Sequence, residues 1–209
     1  MIELDSYLLF VAATVVLVLA PGPDMAYMLG RTIAQGRKAG VLAALGINFG
    51  AYMHVIAVVL GLSAVLAASA FAFTVIKWLG VCYLIWIGVQ AIIAPSGPLK
   101  LDGDKARKTG RTIFWQGFWS DVLNPKVALF FLAFLPQFVD PGGPNQTLQL
   151  LMLGLTCNVI GVTINLILVY CASAVTGKLR ESRRVSTWLN RSMGVIFVAL
   201  GVRLAGEKL

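Results

Sequence analysis

Two aspartates, an asparagine and a lysine stand beside two proline breaks in this chain. Pro21-Gly22-Pro23 leads directly into Asp24, and Asp121 comes just before Leu123-Asn124-Pro125-Lys126. Proline has no N–H and clashes with the carbonyl four residues back. Pro21 and Pro23 therefore free the carbonyls of Leu17 and Leu19, and Pro125 frees that of Asp121. A helix can restart after each break, with Gly22 as N-cap before Pro23 and Asn124 as N-cap before Pro125. Each break then offers bare carbonyls on one side and helix N-terminal N–H groups on the other. A zwitterionic amino acid needs that pairing, with carbonyls or a carboxylate for its ammonium and N–H groups for its carboxylate. Asp24 falls in the first turn of the restarted helix, where the dipole favours negative charge. Asp121 and Asn124 are three apart and share a helix face. Two blander readings compete: kinks that only shape packing, and an Asp24–Lys126 pair that only balances charge.

The breaks lie inside apolar sequence. Leu8 to Ala20 rises only about 20 Å as a helix, short of a hydrocarbon core of about 30 Å. To reach Arg31, the first strong charge, the segment must carry its break and its carboxylate through the bilayer. Irregular backbone persists at that depth only where protein buries it or water lines it. Ionisable groups there are candidates for function.

The whole chain fits that setting. It is 58% apolar and 12% charged, with a mean hydropathy of +0.84, where an ordinary globular domain is about 25% charged. Six long apolar stretches fill most of the 209 residues: roughly Tyr7 to Leu29, Val41 to Ala68, Phe71 to Ala94, Ile113 to Val139, Leu148 to Val175 and Trp188 to Ala205. They predict one all-α membrane domain over 1–209, with six transmembrane helices of which the first and fourth are broken. Glu3 and Asp5 flank the first stretch where a signal peptide carries basic residues, so it reads as a retained span.

The net charge of +8 is distributed as a topology signal. Arg31, Arg37 and Lys38 lie between stretches one and two. Lys100, Lys105, Arg107, Lys108 and Arg111 lie between three and four. Lys178, Arg180, Arg183, Arg184 and Arg191 lie between five and six. These are thirteen of the 17 Lys and Arg, and the positive-inside rule puts their loops in the cytoplasm. Both termini then face the periplasm, and the Ala67 to Phe73 and Pro141 to Asn145 connections are external. Basic charge arranged this way orients a membrane protein and gives no reason to expect nucleic acid.

The two halves share a register. Val18-Leu19-Ala20-Pro21 matches Val122-Leu123-Asn124-Pro125 at a displacement of 104. The same displacement carries Gly50, His54, Ala57 and Gly61 onto Gly154, Asn158, Gly161 and Asn165, each set one stripe along a helix. Gly80 and Gly88 against Gly194 and Gly201 agree more loosely. Three spans per half force the second half to cross in the opposite sense. The expectation is two inverted three-helix repeats, about 1–94 and 113–209, joined by a cytoplasmic loop over 95–112, with the site where the broken helices meet.

The remaining chemistry is sparse. His54 is the only histidine and reads either as a packing residue or as a proton relay; Asn158 is its counterpart. Cys82, Cys157 and Cys171 stand singly, without metal spacing. No cofactor, no metal and no enzyme chemistry are expected, because neither a nucleophile with an adjacent base nor an HExxH motif is present. An ion or metal permease is the alternative within the same architecture, and clustered His, Cys or carboxylates are what it would need.

Leu19-Ala20-Pro21-Gly22-Pro23-Asp24, the Gly36 to Gly40 turn, Lys77-Trp78-Leu79-Gly80 through Tyr83-Leu84 to Gly88, and Leu123-Asn124-Pro125-Lys126 leading to Phe134-Leu135-Pro136-Gln137-Phe138 resemble the LysE/RhtB family of bacterial amino-acid exporters. The likeness runs through nearly the whole chain. It implies efflux of amino acids or close derivatives across the inner membrane by proton antiport, with the neutral homoserine, threonine or leucine branch nearer than the basic one. The family's two motifs fall on Pro21, Gly22, Pro23 and on Asn124, Pro125, Lys126. The partners implied are a small amino-acid substrate and the lipid bilayer; homo-oligomer formation is left open. Asp24 is expected to hold the substrate ammonium and then to exchange it for a proton.

Overall fold

A computed structural model describes residues 4–62, 107–139 and 145–174, with separate helical positions between 74 and 93 and between 191 and 206. Among the described residues the chain is helical and has no strand, and helix occupies all six stretches expected to span the bilayer. The expected external connections, apart from Asn145, and most of the 95–112 loop lie outside the described residues, as do Gly80, Gly88, Gly194 and Gly201.

Helix α1 (Leu4–Leu19) stops two residues before Pro21, and α2 (Pro23–Gln35) restarts with proline at its first position and extended Gly22 as its cap. The two helices bend by 55° across the break. Helix α2 ends at Gly36, whose φ of 84° and ψ of 179° belong to a region that is essentially closed to residues with a side chain. The chain turns on that single glycine. Helix α3 (Arg37–Ala57) begins at once and runs on through a π-helical turn at Val58–Leu62. The turn is therefore Gly36 alone, and Gly40 lies within α3.

A second broken helix follows. Thr109 Oγ1 accepts the amide of Thr112 to start α4 (Gly110–Val122), three residues before the expected span and inside the expected loop. Asn124 then caps α5 (Pro125–Leu129), which continues as a π-helical turn over Phe130–Phe134 and a 3-10 turn over Leu135–Phe138. The bend here is 46°. Helix α6 (Gln146–Ala174) is unbroken. Helices α3 and α6 are each long and apolar enough to cross a bilayer alone, and each bent pair meets the same measure of length and composition when its two helices are taken together.

Close packing holds α3 to α4. A Cβ on Gly46 would overlap the carbonyl of Phe114, and one on Gly117 would lie 2.7 Å from the carbonyl of Ala43. The backbones touch directly, as small residues permit between membrane helices. Two apolar clusters flank the breaks. One gathers Phe10, Phe130, Phe131, Phe134, Phe138, Leu150 and Leu153; the other gathers Met28, Ala43, Ala44, Ile47, Ile113 and Val169. The polar residues lie between them.

One charge sits differently from its sequence reading. Arg31, expected in a cytoplasmic loop, lies inside α2 and is only 2% exposed. Its Nη1 donates to Gln35 Oε1 at 3.1 Å, and its guanidinium lies 5.7 Å from the Tyr27 ring centre. Helix α2 runs to Gly36, so its last turn folds Arg31 against the protein.

Candidate functional site

Both breaks hand their freed groups to each other. Lys126 extends Nζ into the first break and donates to the carbonyls of Leu17 and Ala20, at 3.2 and 2.9 Å. Leu17 is the residue whose helical acceptor role Pro21 removes. In the opposite direction, Asp24 reaches the second break. Its Oδ1 accepts Ser120 Oγ at 2.7 Å and its Oδ2 accepts Asn124 Nδ2 at 2.5 Å. Asn124 serves twice, since its Oδ1 caps α5 by accepting the amide of Lys126 at 3.0 Å. Asp24 and Lys126 therefore do not pair with one another. Each is held by groups the prolines set free or by polar side chains of the facing break.

Asp121 faces α3 instead. Its backbone carbonyl, which Pro125 cannot bond, accepts the amide of Asn124 at 2.9 Å and Nε2–H of His54 at 3.0 Å. The same nitrogen is 3.6 Å from Asp121 Oδ2. His54 also stacks on Phe131, with ring centres 5.8 Å apart. Gly50, one turn earlier on the predicted stripe, makes this approach possible: a Cβ there would lie 2.9 Å from Cβ of Asp121. The matching stripe on α6 packs in the same way, with Asn158 Nδ2 donating to the carbonyl of Asn48 at 3.1 Å.

These groups surround a cavity of about 60 Å³ between the two apolar clusters, room for about four to six waters. Asp24, Asp121 and Lys126 line it together with Asn48, Asn158 and Asn165. Leu17, Val18, Met25, Ile47, Val127 and Phe131 supply apolar wall. A few convergent polar groups in an apolar hollow are what a small-solute site requires. No group of three or more His, Cys, Asp or Glu among the described residues is placed to hold a metal ion.

The structure thus brings together Pro21, Gly22, Asp24, Asp121, Asn124, Pro125, Lys126, His54 and Asn158, all of which the sequence singles out. Pro23, exposed at the start of α2, shapes the break from outside the cavity. Ser120 and Asn48 are additions. Ser120 could have been found, because it sits one turn before Asn124 on the face that meets Asp24. Asn48 stands off the repeated stripe and carries no such signal.

Comparison with known proteins gives a consistent picture. The profile described as "LysE type translocator" matches residues 15–208. An uncharacterized membrane protein of Vibrio cholerae is 30% identical over 209 residues, covering 99% of both chains. A leucine efflux protein of Klebsiella pneumoniae is 28% identical, covering 96% of this chain and 94% of its own. A homoserine/homoserine lactone efflux protein of Salmonella typhimurium is 27% identical over 95% of both chains. No solved structure matches.

Proposed function

The chain belongs to the LysE type translocator family, and we propose that it exports neutral amino acids or close derivatives, of the homoserine, threonine or leucine kind, across the bacterial inner membrane. One observation carries this reading: the broken helices exchange polar partners across a shared cavity, Asp24 toward Asn124 and Lys126 toward the carbonyls of Leu17 and Ala20. Asp24 keeps one unused lone pair on each oxygen for an ammonium. Lys126 keeps a third proton for a carboxylate. The uncapped start of α2 adds the amides of Asp24 and Met25, which have no acceptor within the helix. A zwitterion fits between opposite charges that are already anchored separately.

In this reading residues 1–209 form one transport unit of two inverted repeats, about 1–94 and 113–209, with both termini periplasmic. Gly22 and Lys126 support the repeat. They occupy equivalent places at the 104-residue displacement and lie against one another, as residues near a two-fold axis do. Rocking of one half against the other exposes the cavity to alternate sides. Antiport of one proton across about 100 mV supplies about 2.3 kcal/mol, a roughly fifty-fold gradient. The names of the leucine and homoserine relatives support the substrate class. Counterflow into proteoliposomes, with labelled leucine, homoserine, threonine and lysine, tests the proposal. Exchange of a neutral amino acid is expected, and no exchange of any of them contradicts it.

A further inference from the structure

We propose that Asp121, served by His54, carries the driving proton, and that Asp24 is reserved for the substrate. The inference rests on the export reading above and assigns its coupling step to particular atoms. It replaces the expectation that Asp24 holds ammonium and proton in turn.

The cavity has two carboxylates, built for different visitors. Asp24 is partly exposed, and each of its oxygens already accepts a donor, Ser120 Oγ or Asn124 Nδ2. Its charge is matched before any substrate arrives, and open lone pairs remain toward the cavity. Asp121 is only 2% exposed, and its Oδ2 is fully buried without any hydrogen-bond partner. An unpaired buried carboxylate oxygen is costly in a low-dielectric interior. Something positive must complete it, and size decides what. An ammonium group is as large as a methyl and has no path to an atom with no exposed surface. A proton can be handed to it by the neighbouring His54 ring.

The surroundings of Asp121 fit a proton site. Helix α3 presses on it through Gly50, where a Cβ would stand 3.1 Å from Oδ2. Widening there would open the atom to larger cations; Gly50 keeps it tight. His54 Nε2–H donates to the Asp121 carbonyl, and Nδ1 is the ring's second, distinct nitrogen. Nε2 stands 3.6 Å from Oδ2, within reach of proton transfer after a small shift. The other titratable or charged groups around Asp121 are Asp24 on α2, Lys126 on α5 and Cys157 on α6.

Coupling then follows from charge alone. A proton from the periplasmic side binds His54 Nδ1 as Nε2 gives its own to Asp121 Oδ2, and the new O–H bond withdraws one negative charge from the cavity. That weakens the hold on the substrate ammonium at Asp24, which leaves outward. When the cavity faces the cytoplasm, Nε2 takes back the O–H proton as Nδ1 releases one to water, and the restored charge favours a new ammonium. Proton and substrate so alternate without sharing an atom. The 104-residue displacement sets Leu17 opposite Asp121. Asp121 by itself carries one proton per cycle.

The test uses the full-length protein in proteoliposomes with labelled leucine, homoserine and threonine. Wild type, Asp121→Asn, His54→Gln and Asp24→Asn are compared in counterflow without a gradient and in accumulation driven by a pH gradient. Asp121→Asn, fixed in the neutral form, should bind substrate more weakly, and the counterflow it keeps should lose all response to the gradient; His54→Gln should slow the driven flux about tenfold more than it slows counterflow. Asp24→Asn should lose counterflow. Full gradient-driven accumulation by Asp121→Asn, or loss of its counterflow to the level of Asp24→Asn, overturns the proposal. A second readout needs no substrate: the infrared band of a neutral carboxyl in the purified protein, titrated with pH. It should vanish in Asp121→Asn and survive in Asp24→Asn; survival in Asp121→Asn also overturns the proposal. A wild type without counterflow would contradict the export reading, and the infrared band would still decide the place of the proton.

Discussion

Gly22 stands against the amino group of Lys126, so that a Cβ added to the glycine would lie 3.1 Å from Nζ. The two residues are 104 apart, the displacement at which the halves of the chain agree. A lysine inserted into a proline break needs a partner without a side chain, and Gly22 provides it. Its φ of −167° is extended backbone open to any residue, so its requirement is space.

Gly22→Ala should therefore fold, losing about 1 kcal/mol at the cap, while pushing Nζ away from the carbonyls of Leu17 and Ala20. Substrate affinity is expected to fall about tenfold, about 1.4 kcal/mol. Direct binding of labelled amino acid to purified protein measures it. Unchanged affinity would show that the contact has no part in binding.

Asn124 does two jobs that substitutions can separate. Asn124→Ala removes the cap of α5 and a donor to Asp24, and thermal unfolding should show a loss of about 1 to 2 kcal/mol. Asn124→Asp keeps an oxygen that can cap, yet sets a second carboxylate against Asp24. It should remain nearer wild-type stability and lose more transport than its stability loss explains. Equal ratios of transport to stability in the two variants would refute the double role.

Gly36 tests the fold apart from the site. Nothing lies within 4 Å of a Cβ placed there, so Gly36→Ala meets no steric clash. The strain comes from its φ of 84° alone, of order 1–3 kcal/mol. A lower unfolding temperature is expected, with counterflow per folded molecule intact. A loss of transport without loss of stability would place Gly36 in the transport cycle.

Helix ends are legible in this sequence because proline, glycine and asparagine act on backbone within a few residues. The stop before Pro21, the Asn124 cap and the Leu17 carbonyl open to Lys126 follow from such local rules, whereas the Asp121 carbonyl is taken up by the amide of Asn124. Partners across the cavity are another matter. Lys126 could as well have met Asp24, and only the approach of α5 to the end of α1 sends it to carbonyls. Arg31 reads as a loop charge because charges in apolar sequence usually mark the end of a span. Packing decides otherwise, since the last turn of α2 is covered by the protein. Asn48 carries no signal at all in one sequence, because its place in the cavity depends on how α3 lies against α6.

Loss of charge at Lys126 should be severe. Lys126→Met leaves the carbonyls of Leu17 and Ala20 without their donor, for a cost of about 1–3 kcal/mol each if they stay dry. Chemical or thermal unfolding in detergent should detect it, and Lys126→Arg should recover part of the stability. Equal stability of Lys126→Met and wild type would mean that water replaces Nζ at both carbonyls.

The central claim is that one zwitterion bridges Asp24 and Lys126, and binding in a double-mutant cycle tests it most directly. Affinity for labelled leucine, homoserine or threonine would be measured in wild type, Asp24→Asn, Lys126→Met and the double variant. Each single change should cost about 100-fold, and the double change little more, because removing either grip releases the same solute. Wild-type affinity in either single variant, or losses that simply add, would contradict the account.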